Sequence, residues 1–164
     1  MKTLIVYYSL ENNCRQLADL MAPEIGATLQ ELRLVKGNPP QNFFGRYYQG
    51  GKGSFFKETP ELQPPTANAA DFDLVIVGTP VWAWNMTPAV RSFLTSTDFT
   101  GKKAAVFAMY RGTAGVTLSA MKKLIEQRGG TVTAQAGFRD LRIGDAENTK
   151  KRALEWARGL AYRE

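Results

Sequence analysis

The chain has 164 residues with one cysteine and no histidine, and 21 Lys and Arg against 15 Asp and Glu give it a net charge of +6. That length suits one domain spanning residues 1–164, able to bury about 70% of the surface its unfolded form would expose, so folding requires neither disulfides nor a structural metal. The cysteine and histidine counts also argue against a disulfide scaffold and the usual zinc sites.

No apolar run approaches the roughly 20 residues that cross a bilayer, and Leu4–Tyr8 is too short for a signal-peptide core. A soluble protein in a reducing, cytoplasmic setting is expected. The positive charge is uneven: residues 101–164 hold 13 Lys and Arg against 6 Asp and Glu, whereas residues 1–100 hold 8 against 9. This suits either a docking face for an acidic partner or a solvated helical surface. No aromatic-studded basic stripe or nucleic-acid motif accompanies it, so nucleic acid is not an expected partner.

In chain order, Leu4–Tyr8 is a continuous apolar run, the pattern of a strand covered on both faces. Cys14, Leu17, Ala18 and Met21 then recur at helical spacing, and Gly26 punctuates the end. Leu32 and Leu34 around Arg33 alternate like an edge strand. A long crossover follows from Lys36 to Ala70, with Phe43, Phe44, Tyr47, Tyr48, Phe55 and Phe56 interleaved with Gly50, Gly51 and Gly53. Six aromatics argue against simple disorder and suit either a flap, a docking surface or a short helix and loop against the sheet edge.

Leu74–Val77 is a second buried strand, followed by a helix that starts at Pro88 and carries Val90, Phe93 and Leu94 on one side. Gly101 precedes a third run, Ala104–Ala108, and Leu118, Met121, Leu124 and Ile125 mark the next helix. After Gly129-Gly130, Val132, Ala134, Ala136 and Phe138 alternate as a second edge strand. Leu154, Ala157, Leu160 and Ala161 mark the last helix. The rhythm is that of an α/β fold with a doubly wound five-stranded parallel sheet, order 2-1-3-4-5, with helices on both faces.

In such a sheet the ligand site lies beyond the carboxyl ends of the strands, which singles out three loops. Ser9 to Asn13 joins the first strand to a helix N-terminus, a natural anion site, with Asn12 and Asn13 able to take backbone angles usually left to glycine. Cys14 fits the start of that helix's buried stripe better than a reactive thiol. Thr79 to Thr87 carries Trp82 and Trp84, one of which could stack on an aromatic ligand. Met109 to Gly115 adds Tyr110 and flexible glycines.

These stretches resemble the flavodoxin family. KTLIVYYSLENNCRQLADLMA is similar to that family's first strand, phosphate loop and helix, where a pattern S/T-x-T-G-N-T holds the phosphate of FMN. DFDLVIVGTPVWAWNMTPAVRSFL, with its GTPVW, is similar to the second family signature. The resemblance implies that Ser9, Leu10, Glu11, Asn12, Asn13 and Cys14 surround the phosphate. It also implies that Thr79, Pro80, Val81, Trp82 and Ala83 flank the isoalloxazine, and that Tyr110, Arg111, Gly112 and Gly115 hold its pyrimidine side. Glu11, Asn12 and Cys14 replace a threonine, a glycine and a threonine of the pattern. A carboxylate at position 11 would repel a phosphate dianion unless it points into water.

Other ligands of the same architecture fail on particular residues. Gly78-Thr79-Pro80 stands where a receiver domain needs an aspartate, and neither a P-loop nor a dinucleotide fingerprint follows the first strand. A low-molecular-weight phosphatase needs an arginine five residues after its cysteine. The resemblance therefore implies an FMN-dependent electron-transfer protein serving redox partner proteins, which the basic charge suggests are acidic. In it, Arg111 at the pyrimidine edge would favour the reduced flavin. An NAD(P)H-dependent quinone or flavin reductase is the alternative, and a flavin-free module docking an acidic partner is the third.

Overall fold

The computed structural model describes residues 1–38 and 58–162. The six aromatics and three glycines of the crossover lie outside the described residues. Within them the elements run β1 (Thr3–Tyr7), α1 (Asn13–Ile25), β2 (Thr28–Glu31), a single 3₁₀ turn (Ala69–Asp71), β3 (Leu74–Trp82), β4 (Asn85–Met86), α2 (Pro88–Ser96), β5 (Lys103–Tyr110), α3 (Thr117–Gln127), β6 (Thr131–Arg139) and α4 (Ala146–Ala161).

Five parallel strands lie in the order β2-β1-β3-β5-β6, and the short β4 folds back antiparallel on β3. The expected order of parallel strands is met, with β4 as a sixth strand. The chain's alternation explains the layers, because successive side chains on a strand face opposite ways. Leu4, Val6, Val75, Val77, Ala104 and Val106 pack with α2 and α3 on one face. Ile5, Tyr7, Leu74, Ile76, Ala105 and Phe107 pack with α1 and α4 on the other.

Local signals start and end the helices where the sheet requires. Gly26 takes a left-handed φ of 61° and Ala27 N–H donates to Ala22 O at 2.9 Å, closing α1 just before β2. Pro88 occupies the first turn of α2. The Asp145 side chain accepts from Asn148 N–H to cap α4, whose last turn carries Arg158 near Glu24 of α1 at 2.9 Å.

Two edge strands differ from their expected form. β2 begins directly after the Gly26 cap and pairs Leu4 to Tyr7 with Thr28 to Glu31, so Leu32 and Leu34 lie beyond it. Leu34 instead bridges to Leu62, with Val35 N–H donating to Glu61 O at 3.0 Å and Gln63 N–H to Arg33 O at 2.7 Å. In β6 a bulge at Thr133 interrupts the register, which passes from Ala104↔Val132 to Ala105↔Ala134. The extra residue reverses the facing, so Val132 joins one core while Ala134, Ala136 and Phe138 join the other.

Gly78 is a tight point of the sheet. It pairs with Phe107, and a Cβ there would occupy the Phe107 ring. That ring is fixed from its other sides by Phe138 and Trp156, each with centroids 6.2 Å away. Gly78→Ala is expected to destabilise the protein by about 2 kcal/mol through overpacking. In urea denaturation, Gly78→Ala/Phe107→Leu should cost less than the sum of its single changes, and simple additivity would rule out this contact as the cause.

Candidate functional site

The carboxyl ends of β1, β3, β5 and β6 leave a cleft of about 440 Å³. It is lined by Ser9, Leu10, Glu11, Asn13 and Cys14 from the first loop, by Pro80 to Trp84 from the second and by Met109 to Thr113 from the third, with Asp140 from the end of β6. Twelve of the residues expected at the site thus meet in one cavity. Three expected residues lie elsewhere, each for a local reason.

Asn12 lies in the polar depression on the other side of the loop, beside Arg15, Glu31 and Asn38. Its φ of 70° supplies the left-handed turn that starts α1, as expected of an asparagine in place of glycine. Thr79 is fully buried beneath its loop. Its hydroxyl accepts from Thr87 N–H at 3.1 Å and donates to Pro80 O at 2.9 Å, so it joins the end of β3 to the start of α2. Gly115 meets the protein rather than the cavity: a Cβ there would come within 2.6 Å of Trp84 Cβ and O, and Val116 N–H donates to Trp84 O at 3.1 Å.

The second loop is a two-residue hairpin between β3 and β4, with Ala83 and Trp84 at its tip. Their φ values of 48° and 63° are the left-handed angles that such turns require, and neither residue takes them easily. This turn carries Trp84 out to 67% exposure at the cleft mouth. Trp82 turns inward, its ring edge-on to Tyr8 with centroids 5.8 Å apart. The Tyr8 hydroxyl donates to Asn38 Oδ1 at 2.9 Å, and burial first, then Glu31, pushes its pKa up to about 12.

At the first loop, Ser9 Oγ accepts from Arg15 N–H at 3.3 Å, which leaves its own proton available to a ligand. The Asn12 side chain makes no capping bond, so within the first turn of α1 it is Ser9 that meets a leading N–H group, that of Arg15. Asn13 is 8% exposed, and its Oδ1 has no hydrogen-bond partner. An amide can present its NH2 instead of its oxygen by a half-turn, so Asn13 is a buried donor in reserve at the cleft wall. Cys14 is 1% exposed, and burial, with Asp140 adding to it, pushes its thiol far above the usual range. It is a core residue of α1 and no nucleophile.

Sequence reading passed over Asp140 and Arg142. Asp140 is nearly fully buried, and Arg142 grips it from two positions along, with N–H and Nε to Oδ1 at 2.9 and 3.0 Å and Nη2 to Oδ2 at 2.6 Å. Arg111 Nε adds a bond to Oδ2 at 3.2 Å. Glu11 closes the group, accepting from Arg142 Nη2 and, at 3.5 Å, from Arg111 Nη2. The Glu11 carboxylate therefore turns toward two guanidiniums. Arg111 is half-exposed and shared between two carboxylates, so its charge is largely offset. An aspartate closing one strand of the sheet, two residues before an arginine, was the available signal.

A model of a protein family described as NADPH-dependent FMN reductase matches residues 1–139, which include every loop of the cleft except its β6 end. The chain belongs to that family. Its fold is flavodoxin-like. A flavoprotein in complex with FMN from Lactobacillus acidophilus NCFM is 22% identical with a TM-score of 0.72, over 90% of this chain and 97% of that one. A putative flavoprotein from Bacteroides eggerthii DSM 20697 is 18% identical with a TM-score of 0.75, over 99% of each chain. Oxidised flavodoxin 1 from Bacillus cereus is 16% identical with a TM-score of 0.64, over 100% of this chain and 99% of that one. No described helix is long and apolar enough to cross a membrane.

Burial alone would raise the Asp140 pKa and is the largest single influence on it, but the bonds from Arg142 and Arg111 together outweigh it and hold the carboxyl well below its usual value of 3.8. A lowered pKa contributes stability above the unfolded-state value, which is lost as pH falls through the folded-state value. Asp140→Asn should therefore cost about 1–2 kcal/mol at pH 7, and the deficit should shrink as pH drops below 3.8 in urea titrations. A deficit independent of pH would refute the charge argument. Ala83→Asn, which accepts the left-handed tip more readily, should raise stability by about 0.5–1 kcal/mol in the same assay.

Proposed function

We propose that this protein is an FMN-binding redox protein of flavodoxin type. The observation that carries the reading is the meeting of a helix N-terminus and an apolar, ring-lined slot in one cleft. Flavin mononucleotide has matching ends, a phosphate dianion and a flat aromatic system. At the phosphate end, the Ser9 hydroxyl, the Asn13 amide and the leading N–H groups of α1 are donors, and the helix dipole favours an anion. At the other end, Pro80, Val81, Trp82, Met109 and Tyr110 offer apolar surface, with Trp84 at the mouth.

When bound, the flavin supplies the electron or hydride chemistry, and the protein supplies binding, orientation and the electrostatic setting. Ser9 and Asn13 would bind and Trp82 and Tyr110 orient. Asp140, kept ionised, would hold the two arginines in place and not exchange a proton near neutral pH. Arg111, already engaged by Asp140 and Glu11, would move the flavin potential less than a lone cation could.

Electron transfer to a protein partner is the first use of such a site. The exposed ring of Trp84 at the cleft mouth and the basic C-terminal third, which would attract an acidic partner, support it. An NAD(P)H-dependent quinone or flavin reductase is the second, supported by the family match over residues 1–139.

Titration with FMN should show saturable uptake of one FMN per chain, followed as quenching of flavin fluorescence. No uptake would defeat both uses and leave the flavin-free docking module. Steady NADPH consumption with a quinone, without added reductase, would select the enzyme. Its absence from a flavin-loaded protein that still accepts electrons from a reductase would select the carrier.

A further inference from the structure

Arg142 does not line the cleft, yet it holds the carboxylate that sits in the anion-binding loop. We propose that Arg142 is a positioning residue for the phosphate of the ligand: it keeps the Glu11 side chain turned out of the loop between Ser9 and Cys14. The inference rests on the FMN reading.

Glu11 sits midway along a loop whose other donors suit a dianion, so its carboxylate has two destinations. It can lie toward the bound phosphate, where like charges repel, or across the ends of β5 and β6, where Arg142 and Arg111 wait. The second arrangement is the one present. Its anchor is rigid, because Arg142 is fixed to Asp140 through three bonds of 2.6 to 3.0 Å and Asp140 is only 5% exposed. Arg111 is the weaker tether, 3.5 Å from Glu11 and also engaged by Asp140.

The charge count decides the role. Among the described residues the two carboxylates and two guanidiniums cancel, so these four side chains offer the phosphate little net attraction. What Arg142 contributes is the removal of a negative charge from the anion's neighbourhood. This separates it from a residue that binds phosphate directly and from one that merely supports the fold.

Three binding measurements on wild type, Arg142→Gln, Glu11→Gln and the double variant test this, using FMN, riboflavin and FMN in raised salt. Arg142→Gln should weaken FMN by on the order of tenfold, the scale of one extra charge acting on a dianion in a partly wet site. Riboflavin, which lacks the phosphate, should bind both proteins alike, and salt should narrow the FMN difference. Glu11→Gln should bind FMN as well as wild type or better, and adding it to Arg142→Gln should restore affinity.

Equal loss of FMN and riboflavin in Arg142→Gln would make the role structural and overturn the proposal. A double variant as weak as Arg142→Gln would mean direct phosphate contact and overturn it equally. Should Arg142→Gln fail to fold, Glu11→Gln alone decides: weakened FMN binding would show that the carboxylate serves the loop and is not an obstacle held aside. If wild type takes up neither flavin, the FMN reading itself falls; if wild type binds FMN and Arg142→Gln matches it, only this inference does.

Discussion

Parallel pairing of β1, β3 and β5 in tight register is the constraint on which the molecule depends. Tyr7 pairs with Gly78 and Gly78 with Phe107, so these strands finish near one edge. A parallel sheet must be covered on both faces, and here the covering helices alternate sides, α1 and α4 on one and α2 and α3 on the other. Where β1 sends its chain to one face and β3 to the opposite face, the loops part and leave a cleft. At Gly78 the Phe107 ring takes the space that a side chain would fill.

On this frame, the electrostatics of the edge are arranged through pairs of opposite charge and not through an excess of one sign. Glu11, Arg111, Asp140 and Arg142 come from three separate loops, and each carboxylate touches both arginines. Individually, half-exposed ion pairs contribute little. Anchored on the buried Asp140 they become a tie across three loop ends, in a region where backbone hydrogen bonding between strands has stopped.

Much of this was legible in the sequence because buried parallel strands leave continuous apolar runs, and Leu4–Tyr8, Leu74–Val77 and Ala104–Ala108 all became strands or their ends. The edge strands were harder. Leu32 and Leu34 alternate, but the alternation belongs to a chain reversal bridged to Leu62, since β2 had to start at the Gly26 cap to match β1. The bulge at Thr133 leaves no periodic trace, so Val132 was grouped with residues of the opposite face. At the site, the loops could be placed by topology alone. The link from Glu11 to Arg142 spans 131 residues and rests on side-chain reach, which no local pattern encodes. Thr79 and Gly115 belong to backbone closures that a motif cannot distinguish from ligand contacts.

The bridge between Leu34 and Leu62 has a consequence beyond the sheet edge. With Val35 bonded to Glu61 and Arg33 to Gln63, the crossover is fastened at its base. A segment joined at a fixed neck can change length at small thermodynamic expense, about 0.6 kcal/mol for each doubling. The register of β1 with β2 and β3 is insulated from whatever the intervening residues become. This neck ties the two ends of the crossover to each other at the sheet edge whatever the length of chain between them.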